Sequence, residues 1–228
     1  MDVFECMRDR RSIRSYRDIP VEWELVCRII RAGKAAPCAG NQQNWKFIVV
    51  LDKAKRAAIS ETCLQQYWMQ TAPVHIVVIG EPQKAKQYYG VRGERLYTIQ
   101  SCAAAIQNML LAAHALGLGG CWIGAFDEDM LKKAVGIPDY VRPQAVVTLG
   151  HPAEKPPEPW EYRLYDITHL DKWDRKVKDV NWIVKDFSVT MNKKAKEGAD
   201  RLVEHGKKAV DSGRKLVSDA TQRLKPKQ

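Results

Sequence analysis

The sequence predicts an α+β sandwich that carries a helical extension at its C-terminal end. Three observations predict it. Nearly uninterrupted apolar runs at residues 47–51, 74–79 and 145–149 read as buried strands. The segments between them place apolar residues at helical spacing. From about Phe187 onward, a lysine-rich stretch carries a thin apolar stripe that repeats every seven residues. Only three strong strands are visible, which favours α+β over a large parallel sheet.

Residues 2–9 read as a short helix, with Val3, Phe4, Cys6 and Met7 near one face. Cations interrupt the pattern from Arg10 to Arg17. Pro20 opens a second helix in which Trp23, Val26, Cys27, Ile30 and Ala32 recur, and Gly33 and Pro37 close it. Residues 45–51 form the first predicted strand, residues 53–67 a helix, and residues 74–79, after Pro73, the second strand. Residues 81–93 read as a polar connection bearing aromatics. Residues 95–116 hold the longest helical pattern of the domain. Its centre is apolar nearly all round, the mark of a helix buried in a core or at a subunit interface. Gly117 and Gly119 are its candidate caps. A short helix at 127–135 stops at Gly136 and Pro138, residues 145–149 form the third strand, and the proline-rich residues 154–159 run extended. In the tail, Leu202-Val203, Ala209-Val210 and Leu216-Val217 recur, with Ala199, Gly206, Gly213 and Ala220 between them. Such a stripe suits a solvated helix, a seam for a partner helix, or an anionic surface.

Length suits one main domain, residues 1–173, and an appendage, residues 174–228. The formal charge of +10 is uneven: the appendage alone holds 15 Lys and Arg against 8 Asp and Glu. A polyanion partner would therefore concern the tail. Six scattered cysteines include no C-x-x-C pair and no zinc spacing, so reduced thiols and no metal centre are expected. Cys27 and Cys102, in apolar helical runs, are expected in the core. No run is long and apolar enough for a membrane span, and residues 1–5 lack a signal-peptide pattern, so a cytoplasmic location is expected.

Three segments carry the chemistry. The first groups Arg10, Arg11, Arg14 and Arg17 around Ser12; arginine forks suit a phosphate, although a solvated basic turn has the same composition. The second, residues 37–45, offers the amides of Asn41 and Gln43 behind the small Cys38, Ala39 and Gly40. Amides match the alternating edge of a heterocycle, and small residues admit a flat ligand; an ordinary polar loop reads the same way. The third, residues 117–124, places glycines and Trp122-Ile123-Gly124 after a helix, as ligand-facing backbone or as a plain helix cap leading to a strand. It is not a dinucleotide fingerprint, in which glycines open a helix.

In order and spacing, these segments resemble the FMN-dependent nitroreductase-like flavoproteins. Arg10, Arg11, Ser12 and Arg14 match Arg-Arg-Ser-x-Arg. Residues 37–47 match Pro-Ser-x-x-Asn-x-Gln-Pro-Trp-x-Phe, with Cys38 and Asn44 replacing serine and proline. Asn108-Met109-Leu110-Leu111-Ala112-Ala113 and residues 117–124 match the family's long helix and its glycine turn. The resemblance covers about residues 1–173. It implies a sandwich with a central mixed or antiparallel sheet flanked by helices, in a homodimer with interfacial flavin sites. It also implies phosphate and ring-edge contacts from Arg10, Ser12 and Arg14, with help from Arg11. Pro37, Cys38, Ala39 and Asn41 would come from the second subunit, and Trp122, Ile123 and Gly124 would lie along the ring. Arg163 would join the phosphate, and Gln65 the ring edge. The implied chemistry lies at flavin N5, with NADH or NADPH as donor, nitroaromatic, quinone or flavin acceptors, ping-pong kinetics and no catalytic side chain. Flavin-consuming or reductive-dehalogenase chemistry is the alternative, as is a non-catalytic flavin-binding module directed by the tail. The Cys38 departure weakens hydrogen bonding, and Asn44 frees the loop backbone.

Overall fold

A computed structural model describes residues 1–176. The chain divides into two units, Met1–Glu158 and Pro159–Gln228. The seven-residue stripe read in the tail lies outside the described residues.

The first unit is built on four strands, β1 (Trp45–Val50), β2 (Val74–Gly80), β3 (Gly119–Ile123) and β4 (Arg142–Gly150). They pair antiparallel throughout in the order β1-β2-β4-β3. β2 is buried along its whole length, as a two-faced strand must be. Val74, Ile76 and Val78 face one side, against α2 (Trp23–Lys34) and α5 (Thr98–Ala115). Val77 and Ile79 face the other side, against α3 (Lys53–Thr62) and α6 (Glu128–Val135). The period of two along one strand thus makes a helix–sheet–helix sandwich.

Helix ends follow local chemistry. The Asp2 carboxylate accepts from the Phe4 and Glu5 amides and closes a capping box at α1 (Val3–Asp9). Asp127 caps α6 by accepting from the Met130 amide at 2.8 Å. After α5 the chain turns through Gly117 at φ +77°. The Leu118 amide donates to the Ala113 carbonyl at 2.8 Å and the Gly117 amide to that of His114 at 3.0 Å, a Schellman motif.

Three expectations are corrected. Gly119 is not a cap; with Gly120 it begins β3, a fourth strand to which the predicted cap leads directly. Glycine is a poor strand former, but these two are required sterically. A Cβ on Gly120 would meet Leu110 Cδ2 at 2.8 Å and Leu149 Cδ2 at 3.2 Å. Residues 81–93 are not a plain connection: α4 (Pro82–Arg92) forms there, kinked at Gly90, and passes through a π-turn at Gly93–Tyr97 into α5. The helix expected over 53–67 ends at Thr62, because Leu64 and Gln65 both take left-handed backbone before a 3₁₀ turn at Tyr67–Thr71. The apolar face read on α1 is also only partly covered. Cys6 is buried, while Val3, Phe4 and Met7 are exposed. Of the two cysteines expected in the core, Cys102 is fully buried and Cys27 half-buried.

β2 also carries His75, completely buried, its Nε2–H donating to the Met69 carbonyl at 2.9 Å. Its Nδ1 has no partner among the described residues. Burial lowers the imidazole from 6.5 to about 4. As pH falls below 6.5 the unfolded chain takes up a proton that the folded chain refuses, so stability is lost with acidification. Urea unfolding at about pH 7 and about pH 5 should show a loss of about 2 kcal/mol attributable to this residue. His75→Gln, which preserves the donor to Met69, should lack that portion of the acid slope. An unchanged slope would show that His75 is protonated when folded.

Candidate functional site

The arginine turn is fastened to the outer edge of β3, so the structure brings the first and third segments together. Ser12 forms a parallel bridge with Gly120, and the Ile13 amide donates to the Gly120 carbonyl at 3.1 Å. Buried Tyr16 locks the turn from beneath: its hydroxyl donates to the Ile13 carbonyl at 2.6 Å and lies 2.8 Å from Thr148 Oγ1. A Cβ on Gly119 would fall 2.7 Å from Ile13 Cγ1, so glycine sets the closeness of this contact. Beneath the turn lies Cys121. Burial pushes its thiol pKa up, while the Arg14 and Arg10 cations and the Ser12 hydroxyl pull it down.

The four cations of the turn are not equivalent. Arg11 Nη1 donates to the Arg10 carbonyl at 3.1 Å and also to that of Arg8, so that nitrogen serves the neighbouring backbone. Arg14 is exposed, with its guanidinium 5.9 Å from the centroid of Trp68. Arg17 is exposed, and its amide donates to the His151 carbonyl at 2.9 Å. Arg10 is half-buried, and its Nε is inaccessible and without a partner among the described residues. Arg10 and Arg11 line a cavity of about 540 Å³ together with His114, residues 117–120 and the arm at 152–158. A buried, unpaired guanidinium nitrogen is costly, and an anion beside it removes the cost.

Glu154, which sequence reading missed, reaches back from that arm. Its Oε1 accepts from the amides of Arg14 and Ser15, the latter at 3.0 Å. No sequence signal marks this pairing, because it spans 140 positions. The remaining third-segment residues differ in what they can offer. Ile123 is buried in the core, so only its backbone is available; Trp122 is exposed. Gly124 lies just past β3 and is exposed, and a Cβ there would meet only Trp122 Nε1, at 3.7 Å. Nothing among the described residues demands glycine at that position.

The second segment lies elsewhere in the same unit. Pro37, Cys38 and Ala39 line a separate groove of about 370 Å³ with Tyr97, Gln100, Ser101 and Ala104 of α5 and the turn before it. The two cavities share no lining residue. Gly40, Asn41 and Gln43 all take left-handed backbone, and the Asn41 side chain accepts from Gln43 Nε2 at 3.4 Å. Cys38 Sγ accepts from the Gln43 amide at 3.2 Å, a weak bond in the place where a serine hydroxyl would bond more strongly. Asn44 corrects an expectation. Instead of freeing the loop it is buried, and its amide donates to Thr98 Oγ1 at 3.0 Å, tying β1 to α5. Gln65 is exposed, lines neither cavity and leads into the turn that carries Trp68. Arg163 belongs to the second unit, where it precedes the single-turn helix α7 (Leu164–Ile167), pairs with Asp166 at 3.1 Å and stacks on Tyr165 at 4.3 Å. Among the described residues, no helix is long and apolar enough to cross a membrane.

Comparison with known proteins agrees with this arrangement. The sequence profile of the Nitroreductase family matches residues 7–68 and 60–151. A Methanothermobacter thermautotrophicus protein, named among the NADH dehydrogenase/NAD(P)H nitroreductases, is 37% identical over 179 residues, 76% of this chain and 88% of its own length. An FMN reductase [NAD(P)H] of Bacillus subtilis is 31% identical over 210 residues, covering 85% of this chain and 84% of its own. Among solved structures, an FMN-dependent nitroreductase of Clostridium difficile superposes with a TM-score of 0.64 at 26% identity, over 75% of this chain and 100% of that one. Motif order, antiparallel sandwich and matched relatives converge: the chain belongs to the Nitroreductase family.

Proposed function

We propose that this protein is an FMN-dependent NAD(P)H oxidoreductase. The observation that carries the reading is Arg10, a half-buried cation whose Nε lacks a partner among the described residues, at a cavity against the edge strand β3. An anion the size of a phosphate meets that need. The family membership and the FMN and NAD(P)H named for its relatives support the same cofactor. Gly124 supports it too, since its lack of a side chain has no packing cause among the described residues.

In this reading Arg10 and Ser12 hold the phosphate with help from Arg11. Arg14 and Gln65 serve the polar edge of the ring. Trp122 and the backbone of Ile123 and Gly124 border the ring. Pro37, Cys38, Ala39 and Asn41 reach it from the second subunit of a cytoplasmic homodimer, which accounts for two cavities with no shared residue. The exposed apolar residues Val3, Phe4 and Met7 of α1 suit such an interface. When bound, FMN supplies the hydride relay between a nicotinamide and an acceptor. The chain's own residues position it, supply positive charge and keep one face open. Donor and acceptor use that face in turn, so kinetics are ping-pong, and the acceptors are nitroaromatics, quinones or flavins.

The test is the visible spectrum of the purified protein before and after anaerobic NADH or NADPH. Flavin bands that bleach with one donor are expected. A colourless protein that does not take up added FMN overturns the reading.

A further inference from the structure

Two walls hold the arginine turn, and only one of them is β3. On the other side, the arm that follows β4 pairs with residues 15–17. Tyr16 bridges Pro152 antiparallel, the Ala153 amide donates to the Ser15 carbonyl at 2.9 Å, and the Arg17 amide donates to the His151 carbonyl at 2.9 Å. This ladder stops short of Arg14, which has no backbone–backbone hydrogen bond among the described residues. Its amide is held instead by the Glu154 carboxylate, whose Oε1 also accepts from the Ser15 amide at 3.0 Å. Two successive amides converging on one oxygen form a small anion nest, and a carboxylate there makes charge-assisted bonds. Glu154 shares a cavity wall with Arg10, Arg11 and Lys155, yet the bonds its side chain makes among the described residues are to these two amides. The Arg14 guanidinium is left without a hydrogen bond or ion pair among the described residues and rests over Trp68, 5.9 Å from the ring centroid. Trp68 packs in turn against the cluster of Ile13, Tyr16 and Ala72. The side chain is therefore fixed at its base and near its head, with its charge unpaired.

We propose that Glu154 is a positioning residue for Arg14: by fixing the Arg14 and Ser15 amides it sets the base of the Arg14 side chain, so that the guanidinium is held ready for the polar edge of the flavin. A cation held there stabilises the negative charge that reduction places on that edge, without reorganising when the charge arrives. The inference rests on the flavin reading above and adds to it a residue that acts through the Arg14 backbone and touches no cofactor atom.

The reduction potential of bound FMN, measured anaerobically on the full chain, tests this. Glu154→Ala keeps the backbone pairing of the arm and should fold. With Arg14 released, the preference for reduced over oxidised FMN should fall about tenfold, the worth of one hydrogen bond to a charged group, which is about 30 mV more negative for a two-electron couple. Glu154→Gln, whose amide oxygen still accepts from both amides, should show no negative shift. Removing the Glu154 charge by itself favours the reduced form, so a positive shift shared by both variants overturns the positioning role. A change of less than about twofold in Glu154→Ala overturns it as well. In an Arg14→Ala background, Glu154→Ala should add no negative shift, because its effect runs through Arg14. An equally large negative shift there also overturns the proposal. Amide hydrogen exchange of the flavin-free protein separates this inference from the flavin reading. The Arg14 and Ser15 amides should exchange about tenfold faster in Glu154→Ala than in wild type or Glu154→Gln. Unchanged exchange overturns the hold on Arg14. Wild type that binds no FMN overturns the flavin reading, while exchange that still depends on Glu154 upholds the hold on Arg14.

Discussion

Arg10→Ala is expected to weaken FMN binding by roughly 30- to 1,000-fold, the cost of about 2–4 kcal/mol when one member of a buried charge pair is removed. The same substitution should leave the flavin-free protein as stable as wild type, or slightly more so. Arg10 Nε has no partner within the described chain, so its removal relieves an unpaired buried donor and breaks no bond. This pairing of outcomes separates a ligand-holding arginine from a structural one, which would lower stability and affinity together. Arg11→Ala is the internal comparison. Its guanidinium already serves the Arg8 and Arg10 carbonyls, so its loss should cost affinity less and local stability more. Fluorescence titration with FMN and thermal unfolding of the flavin-free protein measure both quantities. Binding by Arg10→Ala within about threefold of wild type would remove Arg10 from the phosphate site and with it the observation on which the functional reading stands.

Gly119→Val should unfold at a temperature roughly 6–12 °C lower, corresponding to about 3 kcal/mol of overpacking. The first added carbon alone falls 2.7 Å from Ile13 Cγ1 and 2.8 Å from Ile13 Cβ. Ile13 is buried against Tyr16 and Ala72, and its amide holds the Gly120 carbonyl, so the side chain has no room to yield. The strain therefore passes to the arginine turn, and FMN binding should fail together with stability. Gly117 offers the contrast. It has open space around a Cβ and only a left-handed φ of +77°. Gly117→Asn should accordingly lose no more than about 1 kcal/mol and keep its affinity. A Gly119→Val protein with wild-type melting temperature and FMN affinity would mean that the turn is not held by this contact.

What could be read without coordinates was whatever the chain encodes locally. β2 and the apolar core of α5 announce themselves by period and composition, because each must bury the faces it presents. The three motif segments were legible for the same reason: each is a short run whose order along the chain is preserved. β3 was legible only as a strand that a helix cap could lead to, because two of its five residues are glycines, chosen for what presses on them from Leu110, Leu149 and Ile13 and not for strand propensity. α4 escaped because its residues present no apolar periodicity and Gly90 kinks it. Asn44 looked like a loosened proline position, and only the fold placed the Thr98 hydroxyl against it.

By itself, then, the sequence determined the sandwich class, the family and the residue types able to hold a phosphate and a flat ring, since all of these depend on neighbours in the chain. Tertiary structure alone decided which arginine is unsatisfied. It seated the turn on an edge strand, set one Arg11 nitrogen on backbone carbonyls, brought Glu154 to the Arg14 and Ser15 amides, and left Arg10 Nε at a cavity without a partner among the described residues. Burial and the absence of a partner are properties of through-space surroundings, and residues far apart in sequence create them.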